Sequence, residues 1–393
     1  MGDHKTSAWP LAQAYVLLIV YASLYPFEGW RDQGISAWAF MRSPWPRWWT
    51  GFDVAANVAG YAPLGFLLAL TWLRGFAVPA VHPARALLLA TAAGSALSLA
   101  MEALQTYLPA RVPSNVDWGL NAAGTLGGAA LAVGLERFGA IDHWSRFRAR
   151  WFVANSRGAL ALLALWPFAL LFPAAVPFGL GQVLERLENG LAGWLLDTPF
   201  LEWLPVREME LQPLVPAAEL LCVALGALVP CLLAYSVMPS VGRRAAMAAA
   251  AVTAGVCVTA LSAALSWGPL HAWAWISDPV RVGLLLGLLL ALLLLPMPRR
   301  GCAALLLVAL VVHLSILNQA PASAYFADTL STWEQGRFIR FNGLAQWLGW
   351  LWPFAVLAYV LRRLSRPEGD ANMSARDEGP ARAAATDGTP PAR

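Results

Sequence analysis

The chain has 393 residues, of which 59% are hydrophobic and only 13% are charged. Because soluble proteins carry about 25% charged residues, this composition excludes an ordinary water-soluble globular protein. The net charge of +4 is small, and the four cysteines lack metal-type spacing, which argues against a disulfide framework or a cysteine metal site.

Apolar runs of about 20 residues recur along the sequence, and each is long enough to cross the hydrocarbon core of a bilayer. We therefore predict an all-α, polytopic membrane protein with about ten transmembrane helices. The predicted spans lie at 10–26, 54–73, 86–108, 118–136, 158–180, 213–238, 245–267, 280–296, 301–317 and 344–361.

The placement of charge predicts the orientation of these spans. Most of the 27 Lys and Arg residues fall on one side of the membrane if the N-terminus is cytoplasmic. Positive charge is retained on the cytoplasmic side, so we predict that both termini lie inside. Bulky residues at 21–30 follow the first apolar run, and we expect that run to remain as an uncleaved helix.

A basic segment at 137–157 is the predicted boundary between two domains. We predict a four-helix membrane domain at 1–150 and a second membrane domain of about six helices at 151–365. The second domain carries an acidic external loop at 181–212. The tail, 366–393, has no apolar periodicity and is predicted to be a disordered cytoplasmic extension.

Two segments outside the spans have patterns typical of the membrane surface. The basic segment interleaves arginine with aromatic residues, and beside two spans this favours anionic lipid head groups over nucleic acid. In the acidic loop, the run 182–188 places Val183, Leu184 and Leu187 on one side. This pattern predicts an amphipathic helix lying on the membrane.

Polar side chains that are costly in lipid are concentrated in the first predicted domain. They are Asp53, Asn57, Glu102, Gln105, Arg111, Asp117 and Asn121. Each Asp lies four residues before its Asn, and the Glu lies three residues before the Gln, so each pair shares one helix face. We expect these residues to meet at the outer face of the membrane and to form a ligand-binding site.

Glycines follow each Asp–Asn pair and would let helix backbones approach closely. The predicted helix-packing positions are Gly60, Gly65, Gly124 and Gly128. The repeated Asp-x-x-x-Asn-x-x-Gly pattern indicates that the two helical hairpins are a weak internal duplication. A simpler interpretation is that each Asp only caps its helix and each Gly only packs.

The order and spacing of these residues resemble the VanZ-like family of bacterial membrane proteins. The pattern is Asp53-x-x-x-Asn57-x-x-Gly60, then Glu102-x-x-Gln105-x-x-x-Pro109-x-Arg111, then Asp117-x-x-x-Asn121-x-x-Gly124. It covers roughly residues 10–137, the N-terminal third of the chain. The resemblance implies a small helical domain of the cell envelope, in the bacterial inner membrane. The namesake of the family is linked to glycopeptide (teicoplanin) resistance.

Our leading functional hypothesis is a non-catalytic module that binds an anionic or glycosylated, lipid-linked envelope ligand from the outer side. Arg111 would pair with a phosphate or carboxylate, while Asn57, Gln105 and Asn121 would bind hydroxyls or amides. The expected partners are membrane lipids and such an envelope intermediate, without nucleic acid, cofactor or metal.

Three alternatives stay open. In an enzyme acting on a lipid-linked phosphate or glycosyl bond, Glu102 or Asp117 would be the acid or base and Arg111 would stabilise negative charge. No nucleophile with an obvious base accompanies them in the sequence. A transporter would suit the number of spans, although carriers usually hold substrate near the midplane. In a purely structural cluster, Arg111 would bridge the acids and tie the hairpins together.

Overall fold

The structure is a computed structural model of the full chain. It describes residues 8–25, 27–45, 51–74, 81–153, 155–172, 174–203, 211–321 and 339–365, with the side chains of 52 and 339–344 outside the description. Within these ranges the protein is helical and contains no strand. The predicted all-α class is confirmed. The predicted tail at 366–393 lies outside the described residues.

Twelve α-helices occur in the described ranges, and short 3-10 helices lie between some of them. In chain order they are α1 (Ala8–Leu24), α2 (Gly51–Leu73), α3 (Pro83–Gln105), α4 (Asn115–Arg137), α5 (Ala140–Trp151), α6 (Arg157–Leu170), α7 (Leu184–Leu195), α8 (Pro216–Val237), α9 (Val241–Trp267), α10 (Asp278–Leu293), α11 (Arg299–Leu317) and α12 (Ile339–Leu364).

Five of the described helices are long and apolar enough to cross a membrane. They are α3, α8, α9, α11 and the part of α2 from Asp53 to Leu73. The chain is therefore a helical membrane protein, while ten spans and cytoplasmic termini stay predictions. The fifth predicted span, 158–180, does not continue as one helix, because α6 contains Pro167 and ends at Leu170.

The chain divides into two compact units, Met1–Phe147 and Arg148–Arg393. In the first unit, α1 to α4 pack around small and aliphatic side chains. Buried members of this core include Ala12, Ile19, Leu64, Leu68, Ala69, Ala90, Met101, Ala129 and Ala132. The alanines at these positions let the helices approach closely.

The second unit is arranged around α8. In α8, 83% of an apolar stretch of 18 residues is buried, whereas in α9 only 22% of the corresponding stretch is buried. Its neighbours are α6, α9, α10 and α11, and α12 packs against α6 and α11. An apolar helix that is buried on all sides has the sequence pattern of a bundle centre rather than of a lipid-facing helix.

Arginines hold the helix ends of the second unit. Arg244, at the start of α9, is buried and donates from Nε to the Met238 carbonyl at 3.0 Å. Its Nη1 donates to the carbonyls of Leu295 at 2.8 Å and Met297 at 2.6 Å, beyond the end of α10. A cation is favourable at helix C-termini, where the last carbonyls have no partner in the helix.

Candidate functional site

The polar residues of the first unit meet where α2 and α4 begin and α3 ends. Asn57 Nδ2 donates to Asp117 Oδ1 at 2.9 Å and so joins the first turns of α2 and α4. Further along, Ala62 of α2 faces Gly128 of α4, so the two helices run side by side in the same direction. The equivalent ends of the two predicted hairpins therefore lie together.

Glu102 ties the end of α3 to the start of α4. Its Oε2 accepts a hydrogen bond of 2.8 Å from the backbone N–H of Ser114, and the residue is only 5% exposed. Ser114 is the N-cap of α4, and its hydroxyl accepts from the N–H groups of Val116 at 3.2 Å and Asp117 at 3.3 Å. A carboxylate is favourable here because the N-terminus of a helix carries partial positive charge.

Gln105 and Arg111 hold the end of α1. Gln105 Nε2 donates to the Ser23 carbonyl at 2.8 Å. Arg111 Nη2 donates to the carbonyls of Ala22, at 3.3 Å, and Tyr25. These carbonyls belong to the last turn of α1 and the residue after it, where acceptors lack helical partners. The arginine thus stabilises a helix C-terminus, which sequence spacing did not indicate.

A second polar layer lies one helical turn deeper. Tyr61, Ser98 and Asn121 each lie four residues along their helix from Asn57, Glu102 and Asp117 respectively, and so fall on the same helix faces. We call these six residues the polar column. Asn121 Nδ2 donates to Ser98 Oγ at 2.9 Å, and both residues are buried.

Two buried polar atoms of this deeper layer stand out. Asn121 Oδ1 has no hydrogen-bond partner among the described residues. The Tyr61 hydroxyl lies beside Ser98 and within electrostatic reach of Glu102, but forms no hydrogen bond of acceptable geometry there. Tyr61 and Asn121 are 6% and 5% exposed. An unpaired buried polar group costs about 1–3 kcal/mol, so a native fold rarely keeps one without a reason.

The column ends at a direct contact between helix backbones. A Cβ on Gly65 would overlap the Thr125 carbonyl, and one on Gly94 would overlap the Thr125 side chain. Gly124 and Gly128 lie equally close to the carbonyls of Val58 and Ala62. The polar column thus lies toward the starts of α2 and α4, and glycine contacts join these two helices beside it and further along.

This region is also the part of the chain that matches a known family. Residues 5–137 match the VanZ/LLP1 family. The resemblance in the N-terminal third is thereby confirmed, and the matched region contains the complete polar column. No curated protein matches the chain, and no solved structure does so.

Two predicted positions of the VanZ/LLP1 region remain to be described, Asp53 and Gly60. Asp53 is half-buried on α2, one turn before Asn57. Gly60 differs from the other three glycines, because a Cβ there would meet no atom of the described residues within 4 Å. Its carbonyl instead accepts a hydrogen bond of 2.9 Å from the Tyr15 hydroxyl of α1. Gly60 therefore joins α1 to α2 through its backbone.

Sequence reasoning missed Tyr61, Ser98 and Ser114. The signal for the first two was present, since both lie one turn from a named polar residue. Among the described residues of the VanZ/LLP1 region and of the second unit, no group of three or more His, Cys, Asp or Glu side chains could hold a metal ion. What the column offers chemically is hydrogen bonding.

Proposed function

We propose that the VanZ/LLP1 region is a binding module of the bacterial cell envelope. Its polar column would take the hydroxyl- or amide-bearing head group of a lipid-linked ligand, such as a glycosylated one. The observation that carries this proposal is the buried, unpaired Oδ1 of Asn121, together with the Tyr61 hydroxyl beside it.

The chemistry of the column favours a ligand that donates hydrogen bonds. Asn121 Oδ1 is an acceptor, and a tyrosine hydroxyl can donate or accept. The carboxylates of Glu102 and Asp117 are further hydrogen-bond acceptors in the column. Sugar hydroxyls and amides supply matching donors. A ligand that paired with Asn121 would also recover the cost of burying its oxygen.

Arg111 supports this choice of ligand over a purely anionic one. Its guanidinium binds the carbonyls at the end of α1, which gives it a positioning role in the fold. An anionic head group is a narrower proposal, in which the Arg111 guanidinium would contact a phosphate or carboxylate. For an anionic head group, loss of Arg111 should remove the ligand. For a hydroxyl- or amide-bearing head group, it should only weaken the packing of α1.

The proposed location of the module is supported by the helices around the column. The column lies between helices with membrane-spanning hydropathy, so a head group in it would leave acyl chains beside α2 and α3. We place the protein in the bacterial inner membrane with the column facing outward. A contribution to glycopeptide resistance or to envelope polysaccharide processes would follow if the ligand is an envelope intermediate.

Native mass spectrometry of the full chain with its retained lipids tests the proposal. The variants are Asn121→Leu, and Asn115→Leu as a matched change outside the column in the same helix. We expect a lipid bearing sugar or amide groups to accompany the wild type and the Asn115 variant, and to be lost from the Asn121 variant. If all three proteins retain only the same bulk phospholipids, the proposal is wrong.

A second variant separates ligand loss from misfolding. Tyr61→Phe removes one hydroxyl and keeps the ring, so the packing of α2 should persist. We expect weaker ligand retention with an unchanged or higher midpoint of thermal unfolding, because the change also removes an unpaired buried group. Retention equal to that of the wild type would show that the Tyr61 hydroxyl does not contact the ligand.

A further inference from the structure

A cleft in the second unit lies outside the VanZ/LLP1 region. It forms where the end of α6, the chain segment 179–182, the start of α7 and the middle of α12 meet. Its lining residues are Phe172, Ala174, Gly179, Leu180, Gly181, Gln182, Glu185, Arg186, Gly349 and Trp350. Its cavity volume is about 30 Å³, and the cleft is open to solvent.

The floor of this cleft is fixed by backbone contacts. The Gly181 N–H donates to the Gly349 carbonyl at 2.8 Å. Gly181 has a φ of +94°, and a Cβ there would overlap Leu314, so only glycine suits the position. Gln182 Nε2 donates to the carbonyls of Ala320 at 2.8 Å and Pro321 at 3.2 Å. The cleft is thus built into the fold.

Asn318 fixes the start of α7 at the edge of the cleft. Its Oδ1 accepts from the N–H groups of Val183 and Leu184, both at 3.0 Å. Its Nδ2 donates to the carbonyls of Gly181 at 3.1 Å and Leu314 at 2.9 Å. The residue is buried beyond the end of α11. It therefore holds α7 in one position relative to α11.

The outer face of α7 is apolar and exposed. Leu184, Leu187, Leu191 and Trp194 follow one another at helical spacing, and Trp194 is 89% exposed. Such a helix lies in the interface between lipid head groups and acyl chains, where tryptophan is favoured. With α7 in that interface, the cleft beside its first turn would lie at the depth of lipid head groups.

Two opposite charges line the cleft side by side. The guanidinium carbon of Arg186 lies 4.6 Å from the centre of the Trp350 ring. Trp350 in turn packs edge-to-face on Phe172 and Trp347, with ring centres 6.5 and 5.3 Å away. A guanidinium stacked in this way binds an anion through its N–H edge. Burial lowers the pKa of Arg186, and the adjacent Glu185 carboxylate partly offsets this.

We propose that this cleft binds the head group of a zwitterionic membrane phospholipid. Arg186 would bind the phosphate, and Glu185 the primary ammonium of an ethanolamine group. The acyl chains would lie beside the apolar face of α7. A single charge would suit an anionic or cationic lipid, whereas adjacent charges of opposite sign match both groups of a zwitterion. The site is independent of the polar column, and neither proposal depends on the other.

The test uses the full chain reconstituted in vesicles with equal amounts of phosphatidylethanolamine and phosphatidylglycerol, followed by native mass spectrometry of retained lipids. We expect the wild type to retain phosphatidylethanolamine preferentially. Arg186→Gln should reduce that retention roughly tenfold, because a charge-assisted hydrogen bond is lost. Arg281→Gln is the control, since Arg281 is exposed on α10 and paired with Asp278 at 3.1 Å.

A second variant tests the assignment of the two charges. Glu185→Gln keeps the shape of the side chain and removes the partner of the ammonium, so retention should shift toward phosphatidylglycerol. The proposal is overturned if neither cleft variant changes the lipid ratio. It is also overturned if Arg281→Gln lowers retention as much as Arg186→Gln, because binding would then reflect the overall charge of the protein.

Discussion

The two units hold their helices together in different ways. In the first, α2 and α4 touch through glycines, and polar side chains from three helices meet at one end. In the second, one apolar helix is surrounded by others, and the polar side chains bind mostly to backbone carbonyls. Since lipid is as apolar as leucine, helices in a membrane need close packing or hydrogen bonds to associate. The first unit combines both, whereas the second relies on an enclosed apolar helix and on hydrogen bonds to backbone carbonyls.

Buried polar side chains show the same difference. His313 is buried on α11, and its Nδ1 lies 3.1 Å from the Cys222 carbonyl of α8. Arg363 donates to the Ser236 carbonyl near the end of α8 at 2.9 Å. These contacts complete the core of the second unit. Among the described residues, unpaired buried oxygens occur in both units, at Tyr61 and Asn121 in the first and at Ser156 and Thr259 in the second. The two units therefore differ in the groups that their polar side chains bind, and not in whether unpaired buried oxygens occur.

The largest expected effect comes from adding one methyl group to the glycine contact between α2 and α4. Gly128→Ala places a Cβ against the Ala62 carbonyl, where backbone would have to move. We expect a loss of about 3 kcal/mol or more, at the upper end for overpacking, and poor accumulation in membranes. The control is Gly127→Ala, because a Cβ there meets no described atom within 4 Å. Equal unfolding midpoints for the two variants would contradict a tight α2–α4 contact.

The counterpart in the second unit is Arg244→Gln. The change removes donors from the carbonyls of Met238, Leu295 and Met297. We expect a loss of about 2–3 kcal/mol, because buried acceptors are left without partners. Thermal unfolding in detergent measures it, beside the exposed Arg281→Gln. A variant as stable as that control would show that these helix ends do not depend on Arg244.

Glu102→Gln tests whether the polar column only binds a ligand or also converts it chemically. The amide oxygen can still accept from the Ser114 N–H, but the charge at the start of α4 is lost. We expect a loss of about 1 kcal/mol and continued ligand retention. If ligand is retained but a chemical conversion of it ceases, the column is catalytic rather than a binding site. Mass spectrometry of ligand before and after incubation distinguishes these outcomes.

The smallest expected effect concerns the ion pairs beyond the end of α2. Arg74 Nη2 lies 2.9 Å from Glu136 Oε2 and 3.0 Å from Asp142 Oδ1. Because the pairs are partly exposed, Arg74→Gln should cost at most about 1 kcal/mol, and less at high salt. Unfolding midpoints at low and high ionic strength measure this. A large, salt-independent loss would mean that Arg74 packs as core.

Much of the fold followed from the sequence, because hydropathy and helical spacing are local properties. The all-helical membrane character and the pairing of Asp with Asn on single helix faces needed no tertiary information. The partners of Gln105 and Arg111 could not be predicted, since they are backbone carbonyls on α1, more than 80 residues away. Tyr61 and Ser98 were not predicted, because a single tyrosine or serine on an apolar helix does not by itself indicate a site.

Helical geometry explains the different roles of the glycines. At about 100° per residue, Gly60 and Gly65 lie about 140° apart around α2, so both cannot face α4. Gly124 and Gly128 lie about 40° apart and can both face α2. The spacing alone shows that only one of Gly60 and Gly65 can face α4, but it does not show which one. That choice depends on the neighbouring helices.

The central position of α8 has a consequence for how the protein is made. Chains are synthesised from the N-terminus, so every partner of α2 and α4 exists once Arg137 has been added. When α8 is complete, however, three of its four neighbours are still to be translated. Until α11 has been translated as far as Leu317, α8 is in contact with lipid or with an insertion factor instead of its later neighbours. Translation halted before that point would leave a completed first unit joined to an unenclosed α8.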